Sequence, residues 1–156
     1  MATRKDLLTK LGHKPEQPFA PRRRLSTEEN GRKYSLTMEP AAECAVYAVD
    51  GGIIRQGCRC DKLVLVEPRQ AGEAEGEIFV ELKGRNVSHA IAQLEATLGH
   101  AVFSTVLPQT RRKARIVARS YPRNTGDSVL ERAKIRFRKQ YRCDLRTRHS
   151  GECETW

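Results

Sequence analysis

Residues 61–66 read Asp-Lys-Leu-Val-Leu-Val and residues 78–83 read Ile-Phe-Val-Glu-Leu-Lys, with a loop rich in Pro, Gly and Glu between them. The first run is almost continuously apolar, the pattern of a strand covered on both faces. Its partner ends at Gly84, and a helix follows. Asn86 or Ser88 can cap that helix, which places Ile91, Leu94 and Leu98 on one stripe and stops at Gly99. These segments form the frame around which the remaining elements are expected to pack.

Residues 44–49 (Cys-Ala-Val-Tyr-Ala-Val) read as a preceding strand, closed by the turn signal Asp50-Gly51-Gly52. Residues 39–42 could instead extend a short helix into this region. Residues 114–120 read as a further strand. Asp127 or Ser128 can cap a second helix through Tyr141, with Leu130, Ala133, Phe137 and Tyr141 on its apolar side, and residues 143–148 add an edge strand. The order implies an α/β fold, a small mixed β-sheet core flanked by helices. Residues 6–11 suit a short helix, whereas residues 13–33 read as a linker or mobile arm. The expected organisation is a basic, proline-containing arm over residues 1–37 and a single α/β domain over residues 38–156.

Composition narrows the class. Apolar residues make up 38%, there are 11 glycines, and no apolar run approaches the length of a membrane span. The first ten residues lack the apolar region of a secretory signal, and five cysteines cannot pair completely within one chain. Reduced thiols in the cytoplasm are therefore expected. Zinc is the weaker reading, because Cys58 and Cys60 are spaced C-x-C and Cys143, His149 and Cys153 lie far downstream.

The net charge of +10 is unevenly placed. Residues 1–38 carry +5, residues 39–110 carry −4, residues 111–148 carry +11 and the last eight carry −2. Carboxylates repel a phosphate backbone, so an acidic centre between basic flanks suits a polyanion binder when a cation sits between the two. The basic candidates for tracking phosphates are Arg111, Arg112, Lys113, Arg132, Arg136 and Lys139. Aromatic residues, at 6%, are too few for extensive base stacking.

Side chains alternate along a strand, so Glu81 and Lys83 emerge on one face and Ile78, Val80 and Leu82 on the other. If the two strands pair antiparallel through the loop 67–77, Asp61 and Glu81 converge. Two carboxylates with the Leu82 carbonyl make a hard-oxygen site suited to Mg2+ or Mn2+. The competing reading is a solvated Glu81–Lys83 pair on an amphipathic strand, with Asp61 a turn residue.

Asp61 in Cys60-Asp61-Lys62, the triplet Glu81-Leu82-Lys83 and Gln93 on the next helix resemble the PD-(D/E)XK nuclease superfamily over about residues 40–120. Cys60 stands where the nominal motif has proline. The resemblance implies a restriction-endonuclease-like α-β-β-β-α-β core and metal-dependent hydrolysis of phosphodiesters, DNA more than RNA. Asp61 and Glu81 would hold the metal, Lys83 would stand beside the attacking water and Gln93 would assist. An additional acidic residue often completes such sites, and Glu43 is the candidate here. A homodimer is consistent with so small a chain. The alternatives are a non-catalytic basic nucleic-acid-binding protein on the same fold, or a basic adaptor for an acidic protein.

Overall fold

Asn30 and Gly31 both adopt positive φ, 54° and 69°, as a two-residue hairpin turn of the primed type requires. They join strand β1 (Gln17–Glu29) to strand β2 (Arg32–Ala48) in a long antiparallel hairpin, with Glu29 opposite Arg32. The computed structural model describes residues 3–82, 86–107, 110–118 and 127–156. The segment expected to be a linker is thus mostly strand, and β2 runs unbroken through the expected boundary at residues 37 and 38 and through residues 39–42. Asn-Gly is the sequence signal that marks this hairpin, and Leu25 and Thr27 turn inward from β1 to anchor it.

The described residues form an α/β protein with a seven-stranded mixed sheet and three helices. Helix α1 (Arg4–Lys10) begins at a capping box in which the Thr3 hydroxyl accepts from the Asp6 N–H and the Asp6 carboxylate accepts from the Thr3 N–H. After β2 come β3 (Lys62–Val66), β4 (Glu75–Glu81), helix α2 (Val87–Gly99) and β5 (Thr110–Ala118). Helix α3 (Asp127–Tyr141), β6 (Cys143–His149) and β7 (Cys153–Thr155) complete the chain. The sheet order is β1-β2-β3-β4-β5-β6, and β7 pairs with β2. Loops over residues 49–61 and 67–74 join antiparallel β2, β3 and β4; the parallel steps β4–β5 and β5–β6 each require a helical crossover, supplied by α2 and α3.

Period-two alternation divides the sheet residues between two cores. Tyr47, Leu63, Leu65, Phe79, Ala114 and Ile116 face the helices, where Leu8, Leu94, Leu98, Ala133 and Phe137 meet them. Val64, Val66, Ile78, Val80, Leu82 and Val117 face the other way, against Leu25, Tyr34, Leu36 and Met38 of the hairpin. The first half of β2 therefore folds across the sheet: its residues Ser35–Thr37 pair with β7, which arrives from the opposite edge. The apolar run at residues 63–66 is explained by cover on both faces, with helices on one side and the chain's own hairpin on the other. No helix among the described residues is long and apolar enough to cross a membrane.

Trp156, the single tryptophan, fastens this second layer. Its N–H donates to the Thr37 carbonyl at 2.8 Å, and its indole lies directly over Gly76, where a Cβ would overlap the ring. The Gly76→Ala variant is expected to displace the indole at a cost of about 1–3 kcal/mol. A red-shifted tryptophan emission together with a lower unfolding midpoint checks this; unchanged emission refutes it.

Candidate active site

Asp61 stands one residue before β3, fixed on both sides by backbone hydrogen bonds. Its N–H donates to the Val80 carbonyl at 3.2 Å, and its carbonyl accepts from Val49 at 3.0 Å. Lys62 pairs with Val80 at the end of the β3–β4 ladder, and because the Asp61 N–H also reaches the Val80 carbonyl, Asp61 sits against the end of β4, where Glu81 is the last residue. Leu82, next along, turns its side chain into the hairpin core, which leaves Glu81 on the helix-facing side. The Leu82 N–H donates to Asp61 Oδ2 at 2.7 Å, tying the carboxylate to the backbone just past β4.

Both carboxylates are withdrawn from water, Asp61 at 2% exposure and Glu81 at 0%. The donor chemistry of the pair, hard carboxylate oxygens, fits Mg2+ or Mn2+ rather than a soft metal. Lys83 lies outside the described residues.

Gln93 reaches the segment that delivers Asp61. Its Oε1 accepts from the Arg59 N–H at 3.1 Å and from the Cys58 thiol. One turn later the buried Thr97 hydroxyl accepts from the Cys60 N–H at 2.8 Å and donates to the Gln93 carbonyl at 2.9 Å. Arg59 in turn pairs with Asp50 at 2.7 Å. Gln93 and Thr97 therefore clamp residues 58–60 against α2 and act as positioning residues for Asp61. The sequence reading missed Thr97, although its i, i+4 spacing from Gln93 puts both on one helix face. Thr97→Val leaves the Cys60 N–H buried without an acceptor, an expected loss of about 1–3 kcal/mol. Thermal unfolding of the variant beside Thr97→Ser, which keeps the acceptor, measures it.

The other expected site residues separate. Glu43 is exposed on β2 beside the Cys44–Val66 pair, at the far end of β3 from Asp61, roughly 20 Å along the ladder. It does not join the carboxylates. Arg112 and Lys113 are not surface cations: β5 is covered on both faces, so one points into each core. Arg112 pairs with buried Glu77 at 2.9 Å, and Lys113 lies 3.7 Å from Glu154 and 4.6 Å from the Trp156 ring. Arg136 makes two hydrogen bonds to Glu95, both at 2.8 Å. Arg111, Arg132 and Lys139 remain on the surface.

All five cysteines are free thiols. Burial pushes the Cys60 thiol far up and the Cys143 thiol up to about 12, so neither offers a thiolate at neutral pH. Among the described residues no three His, Cys, Asp or Glu side chains gather as a metal cluster. No family model, no curated protein and no solved structure matches the chain.

Proposed function

We propose that the chain is a Mg2+- or Mn2+-dependent nuclease of the PD-(D/E)XK type that hydrolyses phosphodiester bonds, in DNA more than in RNA. The observation that carries this reading is the placement of two buried carboxylates, Asp61 and Glu81, at adjoining ends of two core strands, with a helix following. The run β2-β3-β4-α2-β5, antiparallel up to β4 and parallel after it, supports a restriction-endonuclease-like core around that pair.

Asp61, Glu81 and the Leu82 carbonyl would hold the ion, which supplies Lewis-acid polarisation of the scissile phosphate and a water acidified toward neutrality. The Leu82 N–H fixes the Asp61 carboxylate in one orientation, and Gln93 and Thr97 restrain the segment leading to it. Lys83, two residues past Glu81, orients the attacking water for in-line displacement and offsets charge on the phosphate. A second reading, non-catalytic nucleic-acid binding on the same fold, is favoured by the lack of a third acidic side chain beside the pair among the described residues.

Nicking of a supercoiled plasmid separates the two. The nuclease reading expects cleavage in Mg2+, none in EDTA, and a loss of about 10²–10⁴-fold in Lys83→Ala. Metal-independent binding without cleavage favours the second reading, and cleavage by Lys83→Ala at the full rate sinks the assignment.

A further inference from the structure

Many of the described cations of residues 111–148 are paired within the molecule. Arg112 is taken by Glu77, Lys113 and Arg115 by Glu154, Arg136 by Glu95, Arg146 by Asp144 and Arg148 by Glu152. Among the described residues, Arg111, Arg132, Arg138, Lys139 and Arg142 make no ion pair and are exposed; of these, Arg111, Arg138 and Arg142 lie together. They converge on one concavity of about 530 Å3, between the start of β5 and the end of α3. Asp144 also lines it, but Arg115 and Arg146 hold its carboxylate at 3.2 and 3.0 Å.

Two features suit this concavity to an anion. The Arg111 guanidinium lies 4.9 Å over the Trp156 ring, a stacking that presents its planar fork with little freedom left to lose on binding. Thr110, on the same wall, carries a buried hydroxyl oxygen that has no hydrogen-bond partner among the described residues. Arg111, Arg138 and Arg142 all line the concavity, so a phosphate entering it would meet a cationic wall. Thr110 pairs with Glu75, at the opposite end of β4 from Glu81, which sets the concavity roughly 20 Å from the carboxylate pair.

We propose that this concavity is a second phosphate-binding site, which grips the DNA backbone away from the scissile bond. The choice of DNA as the polyanion rests on the nuclease reading; the site itself rests on the unpaired arginines. At 3.4 Å per nucleotide along a strand, the spacing corresponds to roughly six nucleotides. The surface candidates of the sequence are thereby revised: Arg138 and Arg142 join Arg111, while Arg112 and Lys113 leave.

The test is fluorescence anisotropy with an end-labelled duplex of about 30 base pairs in EDTA, over a salt series, with plasmid nicking in Mg2+ run in parallel. Removing Arg111, Arg138 and Arg142 together by alanine substitution is expected to weaken binding about 10–100-fold and to lower the salt slope by about 2–3. The pair Arg138→Ala with Arg142→Ala, which leaves the Trp156 stack intact, should give about two thirds of the slope change. A control lacking Lys10, Arg23 and Arg24, exposed cations elsewhere, should lose less. An unchanged slope, an equal loss in the control, or no duplex binding by the parent chain overturns the site. Nicking with an unchanged slope leaves the nuclease standing without this site. A lowered slope with no nicking leaves the site standing and removes the nuclease.

Discussion

Replacing Glu81 by glutamine is expected to reduce Mg2+-dependent cleavage by about a thousandfold or more, equivalent to at least about 4 kcal/mol of lost transition-state stabilisation. The substitution keeps the side-chain shape but removes one of the two buried carboxylates at the adjoining ends of β3 and β4. With half the anionic charge gone, the remaining set of Asp61 and one carbonyl holds a hard divalent ion poorly. A second readout distinguishes this from simple misfolding. In the parent chain, Mg2+ at a hundredfold above its Kd stabilises the folded state by about 2.7 kcal/mol, which for a chain of this size raises Tm by roughly 5–10 °C. Glu81→Gln should lose that rise while keeping a cooperative transition in EDTA. Glu43→Gln is the matched control, because Glu43 is exposed at the opposite end of β3; it should cleave as the parent does. Full cleavage by Glu81→Gln, or loss of it in Glu43→Gln, would overturn the assignment of the pair.

The pairing of the strands that carry Asp61 and Glu81 was legible in the sequence because everything that creates it is local. An apolar run that wants cover on both faces and a loop short enough to force antiparallel return are enough to bring the start of β3 beside the end of β4. The α2 helix was legible for similar reasons, an Asn86 cap and a stripe at Ile91, Leu94 and Leu98, all buried as expected. Partnerships between distant segments were not legible. Arg112 and Lys113 read as surface charges because nothing near them in sequence neutralises them; their partners Glu77 and Glu154 lie 35 and 41 residues away. Parallel β4–β5 pairing puts Arg112 directly opposite Glu77, and that register exists only once the α2 crossover has formed. The hairpin of β1 and β2 failed for another reason. Its strands are rich in charge and proline, so composition argues for an arm, and only two residues, Asn30 and Gly31, specify the turn.

Glu77→Gln is expected to destabilise the fold by about 3–5 kcal/mol, a fall in Tm of roughly 10–15 °C. Glu77 is 0% exposed and holds two guanidinium groups at once, Arg4 through Oε2 at 2.6 Å and Arg112 through Oε1 at 2.9 Å. Removing the anion leaves two buried cations facing each other, and neither can shed its proton. The other side-chain hydrogen bonds of both arginines run to backbone carbonyls: Arg4 to Val102 at 2.6 Å and Thr105 at 2.7 Å, Arg112 to Phe103 and, at 3.4 Å, to Tyr141. One carboxylate therefore ties α1, β4, β5, the segment after α2 and the end of α3 into a single unit. Apolar replacement of all three residues is not expected to restore stability as it does for simpler buried pairs, because those carbonyls would lose their donors. The single variants Arg4→Met and Arg112→Met should each cost less than Glu77→Gln, since each leaves the carboxylate one cation. Urea unfolding of the three variants orders them. A loss below about 1 kcal/mol for Glu77→Gln, the range of exposed pairs, would show that solvent reaches the triad and that α1 is held by Leu8 and the helix-face core instead.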